Sequence, residues 1–220
     1  MSLDTIDTVL QKMYDSEDIH SELIKHPLIK KWSFAIEQDL ADNVCREVLQ
    51  AKDELRHNWK EELGDYNKDH LRWKLPLEFM KQKDYPAIYE FYETYSEAKP
   101  QFQFVSIVGP GGYVWKHEDT MHMKQRPQGH ALRKSRFSVQ WPDDCDFMSE
   151  GIGRLDTRPG RIYLFDHCIP HWVENRSTDT DKVDISLILD PKNCKERLQK
   201  HLKKSIEDWF ESYTVTLDLQ

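Results

Sequence analysis

With 220 residues and 38% hydrophobic content, the chain is long enough to bury one core with helical additions around it, and two independent domains are not expected. A charged fraction of 32% beside 11% aromatic residues describes a folded acidic globule and argues against a disordered polymer. The formal charge of −8 argues against a phosphate-binding surface, no stretch is apolar enough to span a bilayer, and the N-terminus lacks a signal-peptide pattern; nucleic acid and membrane are therefore not expected partners, and the cytoplasm is the expected location.

Residues 1–100 read as mainly helical. Leu40, Val44, Val48, Leu55 and Trp59 recur at roughly helical spacing, and Asp84-Tyr85-Pro86 opens a second helix whose Ile88, Phe91, Tyr92 and Tyr95 share one face. Such faces predict packing on a core. From Gln101 the period changes. Phe102, Phe104 and the run 105–108 predict a strand, Gly109-Pro110-Gly111-Gly112 a turn, and 113–117 another strand. The polar stretch 120–135, with His122 and His130, reads as a loop. Further strands are expected at 136–140, 153–155, 161–165, 171–174 and 183–189, a spacing that suggests a barrel or jelly roll. After Asp190-Pro191 a helix is expected to return, because Leu198, Leu202, Ile206 and Trp209 share a face while Lys and Arg fill the others. Cys45, Cys145, Cys168 and Cys194 never form a CxxC pair and read as free thiols.

In Trp115-Lys116-His117-Glu118-Asp119 the strand period puts His117 and Asp119 on one side and Glu118 on the other. A second imidazole comes from the segment 165–175, where His171 begins an extended stretch and His167 falls in the turn before Pro170. Two histidines and one carboxylate make a facial triad, which occupies half of an octahedron and leaves the other half open. That set suits iron(II). A zinc hydrolase uses the same ligand types around a water, and spacing alone leaves both open.

The stretch 104–119, Arg136-Phe137-Ser138-Val139, Arg158-Pro159-Gly160-Arg161-Ile162-Tyr163-Leu164-Phe165-Asp166 and His171-Trp172-Val173-Glu174-Asn175 resemble, in their order, the Fe(II)- and 2-oxoglutarate-dependent oxygenases of the aspartyl/asparaginyl β-hydroxylase-like and proline hydroxylase-like branch. The resemblance implies an α+β chain: a double-stranded β-helix (jelly roll, cupin-like) at 101–190, with the mainly helical N-terminal segment 1–100 and a C-terminal helix and tail at 191–220 packed around it in one oxygenase domain. It implies His117, Asp119 and His171 as the catalytic metal ligands, with Fe(II) and 2-oxoglutarate as cofactor and co-substrate. O₂ and a small-molecule or peptide substrate would be the partners, an amino-acid side chain being hydroxylated with succinate and CO₂ as co-products. Trp115, Arg136 and Trp172 are expected to line the mouth, with Arg136 contacting a carboxylate of co-substrate or substrate.

The family also places a basic residue after the distal histidine to pair with the far carboxylate of 2-oxoglutarate. Here Lys182 comes eleven positions after His171 and shares a strand face with Asp184 and Ser186, so Lys182 and Ser186 are the expected contacts beside Arg136. Counting back from Asp190 puts Asp184 in the basic slot, where an acid repels a dicarboxylate. Two other readings follow from the same residues: a cupin-like metal enzyme that does not use 2-oxoglutarate, and a barrel that only binds a ligand.

Overall fold

A computed structural model describes residues 33–61, 71–96, 103–119, 134–155, 157–163, 165, 167 and 169–189. The expected C-terminal helix, the loop residues His122 and His130, and Cys168 and Cys194 lie outside them. The helical periods fold as read. Leu40, Ala41, Val44, Val48 and Ala51 form the buried stripe of α1 (Gln38–Glu54), and Ala87, Ile88, Phe91, Tyr92 and Tyr95 that of α2 (Pro86–Tyr95). α1 stops before Trp59, whose indole folds back over the last turn: Nε1 donates to the Lys52 carbonyl at 3.0 Å and the ring packs on Trp73. Among the described residues no helix is long and apolar enough to cross a membrane.

The strands found among the described residues are β1 (Ser33–Ala35), β2 (Lys60–Glu61), β3 (Arg72–Pro76), β4 (Phe104–Val108), β5 (Tyr113–His117), β6 (Lys134–Gln140), β7 (Cys145–Ser149), β8 (Gly153–Arg154), β9 (Arg161–Tyr163), β10 (His171–Asn175) and β11 (Lys182–Ile188). They pair antiparallel into a large sheet, β1-β9-β6-β11-β4-β3-β2, and a small one, β5-β10-β7-β8. The two sheets face each other as a jelly roll and do not close into a single barrel.

Alternation along the strands divides the interior into two layers. On β11, Val183, Ile185 and Leu187 join the core beneath α1 and α2, where Val44, Val48, Ile88 and Phe91 meet Val105, Ile107, Phe137 and Ile162. The opposite face of the large sheet meets the small sheet through Val108, Val114, Phe147, Tyr163, Phe165 and Val173. Both faces of β11 are covered, so all seven of its residues are buried, including Lys182, Asp184 and Ser186.

The strands differ from the reading of the sequence in two places. The segment read as mainly helical also supplies β1, β2 and β3, which extend the large sheet at both edges. β7, which the sequence hides, alternates buried Cys145, Phe147 and Ser149 with half-buried Asp146 and Met148. Ahead of β9, Gly160 adopts φ +80° and donates its N–H to the Ser138 carbonyl at 2.9 Å, a turn in which any other residue would be strained.

Candidate metal centre

β5 and β10 are neighbours, and His117 and His171 are direct cross-strand partners. The register shifts between His171 and Val173: Trp115 and Lys116 on β5 oppose Trp172 alone on β10. Strict alternation would put Val114 and His117 on opposite faces, but the extra residue returns both to the inner one. The two imidazole rings then lie 4.4 Å apart, centre to centre.

Asp119 arrives by a different route from the one the strand period suggested. β5 ends at His117, and Asp119 sits in the turn beyond it, its N–H donating to the His167 carbonyl at 3.0 Å. Its carboxylate reaches His117 Nε2 through Oδ1 at 3.4 Å, while Oδ2 lies 2.9 Å from His167 Nδ1. One ligand atom from each of His117, Asp119 and His171 lies within 4.8 Å of the others.

The tautomers follow from the main chain. His117 Nδ1 lies 2.7 Å from the Trp115 carbonyl and His171 Nδ1 lies 2.9 Å from the Ile169 carbonyl. A carbonyl only accepts, so each Nδ1 carries the proton and Nε2 keeps its lone pair. Two imidazole lone pairs and a carboxylate oxygen thus face one small space, an arrangement that repels itself unless a cation lies between them. The donor set, two nitrogens and one oxygen, fits a first-row divalent ion.

Deeper between the sheets is a buried ionic cluster. Asp184 accepts from Lys182 Nζ, from the Tyr163 hydroxyl at 2.7 Å and from Arg136 Nη1 at 3.4 Å. The Lys182 ammonium also lies 5.0 Å from the centre of the Trp141 ring, and the Arg136 guanidinium 5.5 Å from that of Phe104. Burial alone would raise the Asp184 carboxyl, but the Lys182 and Arg136 charges and the Lys182 and Tyr163 hydrogen bonds hold it below its ordinary value. Burial pushes the Lys182 ammonium down, and the attraction of Asp184 does not fully restore it. Among the described residues, two buried hydroxyls face this interior without a hydrogen-bond partner: Ser149 Oγ, cross-strand from His171, and Ser186 Oγ, cross-strand from Arg136.

The profile of the family described as Aspartyl/Asparaginyl beta-hydroxylase matches residues 38–192, more than half of the chain. The chain belongs to that family. No curated protein sequence matches it significantly. Among solved structures, the hydroxylase chain is similar to a prolyl hydroxylase of Trichoplax adhaerens, solved in complex with a peptide fragment of the hypoxia inducible factor oxygen degradation domain. The TM-score is 0.52 and the identity 12%, over 84% of this chain and 94% of that one, a likeness of fold.

Most of the residues singled out in the sequence converge. His117, Asp119 and His171 meet in one group, and Lys182, Arg136 and Ser186 lie together on the inner face of the large sheet. Arg136 is half-buried in the cluster, its side chain 11% exposed, where the sequence suggested the mouth. Trp115 is exposed and stacks on His117, but Trp172 alternates to the outer face of the small sheet, beneath the Lys116 ammonium. Sequence reasoning missed the roles of Tyr163 and His167. A period-2 count through Tyr163, Phe165 and His167 would have placed all three on the inner side.

Proposed function

We propose that the chain is an iron(II)- and 2-oxoglutarate-dependent hydroxylase of an amino-acid side chain, free or within a peptide. The observation that carries this reading is the convergence of His117, Asp119 and His171 with both Nδ1 protons committed to main-chain carbonyls. When bound there, iron with 2-oxoglutarate and O₂ supplies hydroxylation of a C–H bond, with succinate and CO₂ as co-products.

This chain's own residues divide the remaining work. The three ligands would hold the ion by one face and leave the other for co-substrate and O₂. Phe165 and Phe147 wall the space beside His171, with ring centres 4.9 and 6.0 Å from the imidazole, and keep water from it. Lys182, Arg136 and Ser186 would receive the far carboxylate of 2-oxoglutarate, whose oxygen would give the Ser186 hydroxyl its missing partner. The prolyl hydroxylase of similar fold holds a peptide, which supports a peptide segment as one substrate class. The thiols of Cys45 and Cys145 are unpaired, which supports a reducing compartment, the cytoplasm.

One observation favours a second reading, a metal enzyme of this fold that does not use 2-oxoglutarate: donors from Lys182, Tyr163 and Arg136 already meet in Asp184. A single experiment separates the two. Under the first reading, anaerobic Fe(II) and 2-oxoglutarate give the visible charge-transfer band of the chelate, air then releases succinate, and His117→Ala, Asp119→Ala and His171→Ala each abolish both signals. Iron binding without the band and without succinate selects the second.

A further inference from the structure

His167 is fully enclosed beside the centre. Its ring has no solvent exposure, lies 3.8 Å from the centre of Phe165, and stands edge-on to His171 at 5.5 Å. The sequence admits His167 as a rival metal ligand, yet among the described residues the group able to hold an ion is formed by His117, Asp119 and His171. What His167 reaches is Asp119, and it does so twice: its carbonyl accepts the Asp119 N–H at 3.0 Å, and its Nδ1 lies 2.9 Å from Oδ2.

We infer that His167 is a positioning residue that locks Asp119 as a one-oxygen ligand, holding Oδ2 through Nδ1–H so that Oδ1 alone faces the two imidazoles. The inference rests on the metal reading above. A carboxylate just past a strand end has two torsions of its own and, left unheld, can turn both oxygens toward a cation. Two-oxygen binding would take a coordination position that a chelating oxo acid and O₂ together need. The double contact removes that freedom: the main-chain bond fixes where the side chain starts, and the imidazole fixes how its carboxylate is rotated. Phe165 in turn fixes the imidazole, so the rigidity of the inner wall is passed on to the ligand.

The test uses Co(II), which is stable in air and has a visible spectrum sensitive to coordination number. His167→Phe keeps the ring and removes the donor, whereas His167→Asn retains an N–H near the Nδ1 position. The expectation is that His167→Phe weakens Co(II) binding by about tenfold or more and alters the Co(II) bands, while His167→Asn stays within about threefold of wild type with unaltered bands. Melting of the metal-free proteins establishes that each variant is folded. If His167→Phe is not, His167→Leu, which also lacks a donor, takes its place with the same expectation. Unchanged affinity and bands in the donor-free variant overturn the inference, and so does an equal loss in His167→Asn, which would make the role one of packing. Asp119→Ala and His171→Ala are the controls: if they bind Co(II) like wild type, the metal reading itself fails, and His167 with it.

Discussion

Lys182 and Asp184 stand two residues apart on one face of β11, and at that spacing their side chains meet: Nζ donates to Oδ2 inside a layer where neither group reaches water. An anchor for a co-substrate and its own counter-ion are therefore a single unit. Replacing Lys182 by Met leaves the Asp184 charge with the Tyr163 hydroxyl and the longer contact to Arg136. Breaking a buried pair on one side typically costs about 3–5 kcal/mol, and losing a charge-assisted contact to a ligand about 1.5–3 kcal/mol. Lys182→Met is thus expected to lower stability in urea and, in the folded protein, to weaken 2-oxoglutarate binding by about tenfold or more, as read by titration calorimetry. Normal 2-oxoglutarate affinity in a destabilised Lys182→Met would move the anchor to Arg136 alone. At this scale the grouping of His117, Asp119 and His171 was legible from the order of the motifs around them, although Asp119 joins it from the turn and not by the strand period. The link from Asp184 to Tyr163 was not, since it depends on β9 and β11 each lying beside β6.

Among the elements, legibility followed the strength of the period. α1 and α2 were readable from apolar positions at helical spacing, β4 from its largely apolar run and β11 from its alternation. β7 was not, because Asp146 is a poor strand former, Cys145, Met148 and Ser149 give no strong strand signal, and the segment is held by its five-residue pairing with β10. The packing of α1 on α2 also hides a polar device. Glu47 lies on the buried stripe of α1, 5% exposed, where an apolar residue is expected. Its Oε2 accepts the main-chain N–H of Ile88 at 3.1 Å, satisfying one of the unpaired donors in the first turn of α2, where a negative charge is also favoured by the helix dipole. Glu47→Ala is expected to cost about 1–2 kcal/mol, near the upper end for the loss of a capping contact. Glu47→Gln, which still accepts, should recover part of that, and equal melting temperatures for wild type and Glu47→Ala would show that the contact contributes nothing.

For the whole molecule, the net charge of −8 says little about the interior, where the cluster of Lys182, Arg136 and Asp184 holds two cations and one anion behind two sheets. Global stability should register that cluster through pH. The Asp184 carboxyl is held below its ordinary value of 3.8, so the folded protein takes up this proton only at a lower pH than the unfolded chain does. The sign follows from proton counting: the stabilisation from ionised Asp184 is fully present above that value and is lost as pH falls through the folded one. Other carboxylates titrate in the same range, so wild type alone cannot isolate the contribution. Asp184→Asn can, because it keeps an acceptor for Tyr163 and Lys182 while removing the charge, and the carboxylates outside the cluster cancel in the difference. The expected result in urea unfolding is a variant that is less stable than wild type at neutral pH, by an amount that is constant down to about pH 4 and shrinks below it. A gap that instead widens as pH falls toward about 4 would mean that Asp184 is already neutral in the folded protein. In that case Lys182 would lack a charged partner on its own strand, and the cluster would present its full positive charge to a dicarboxylate.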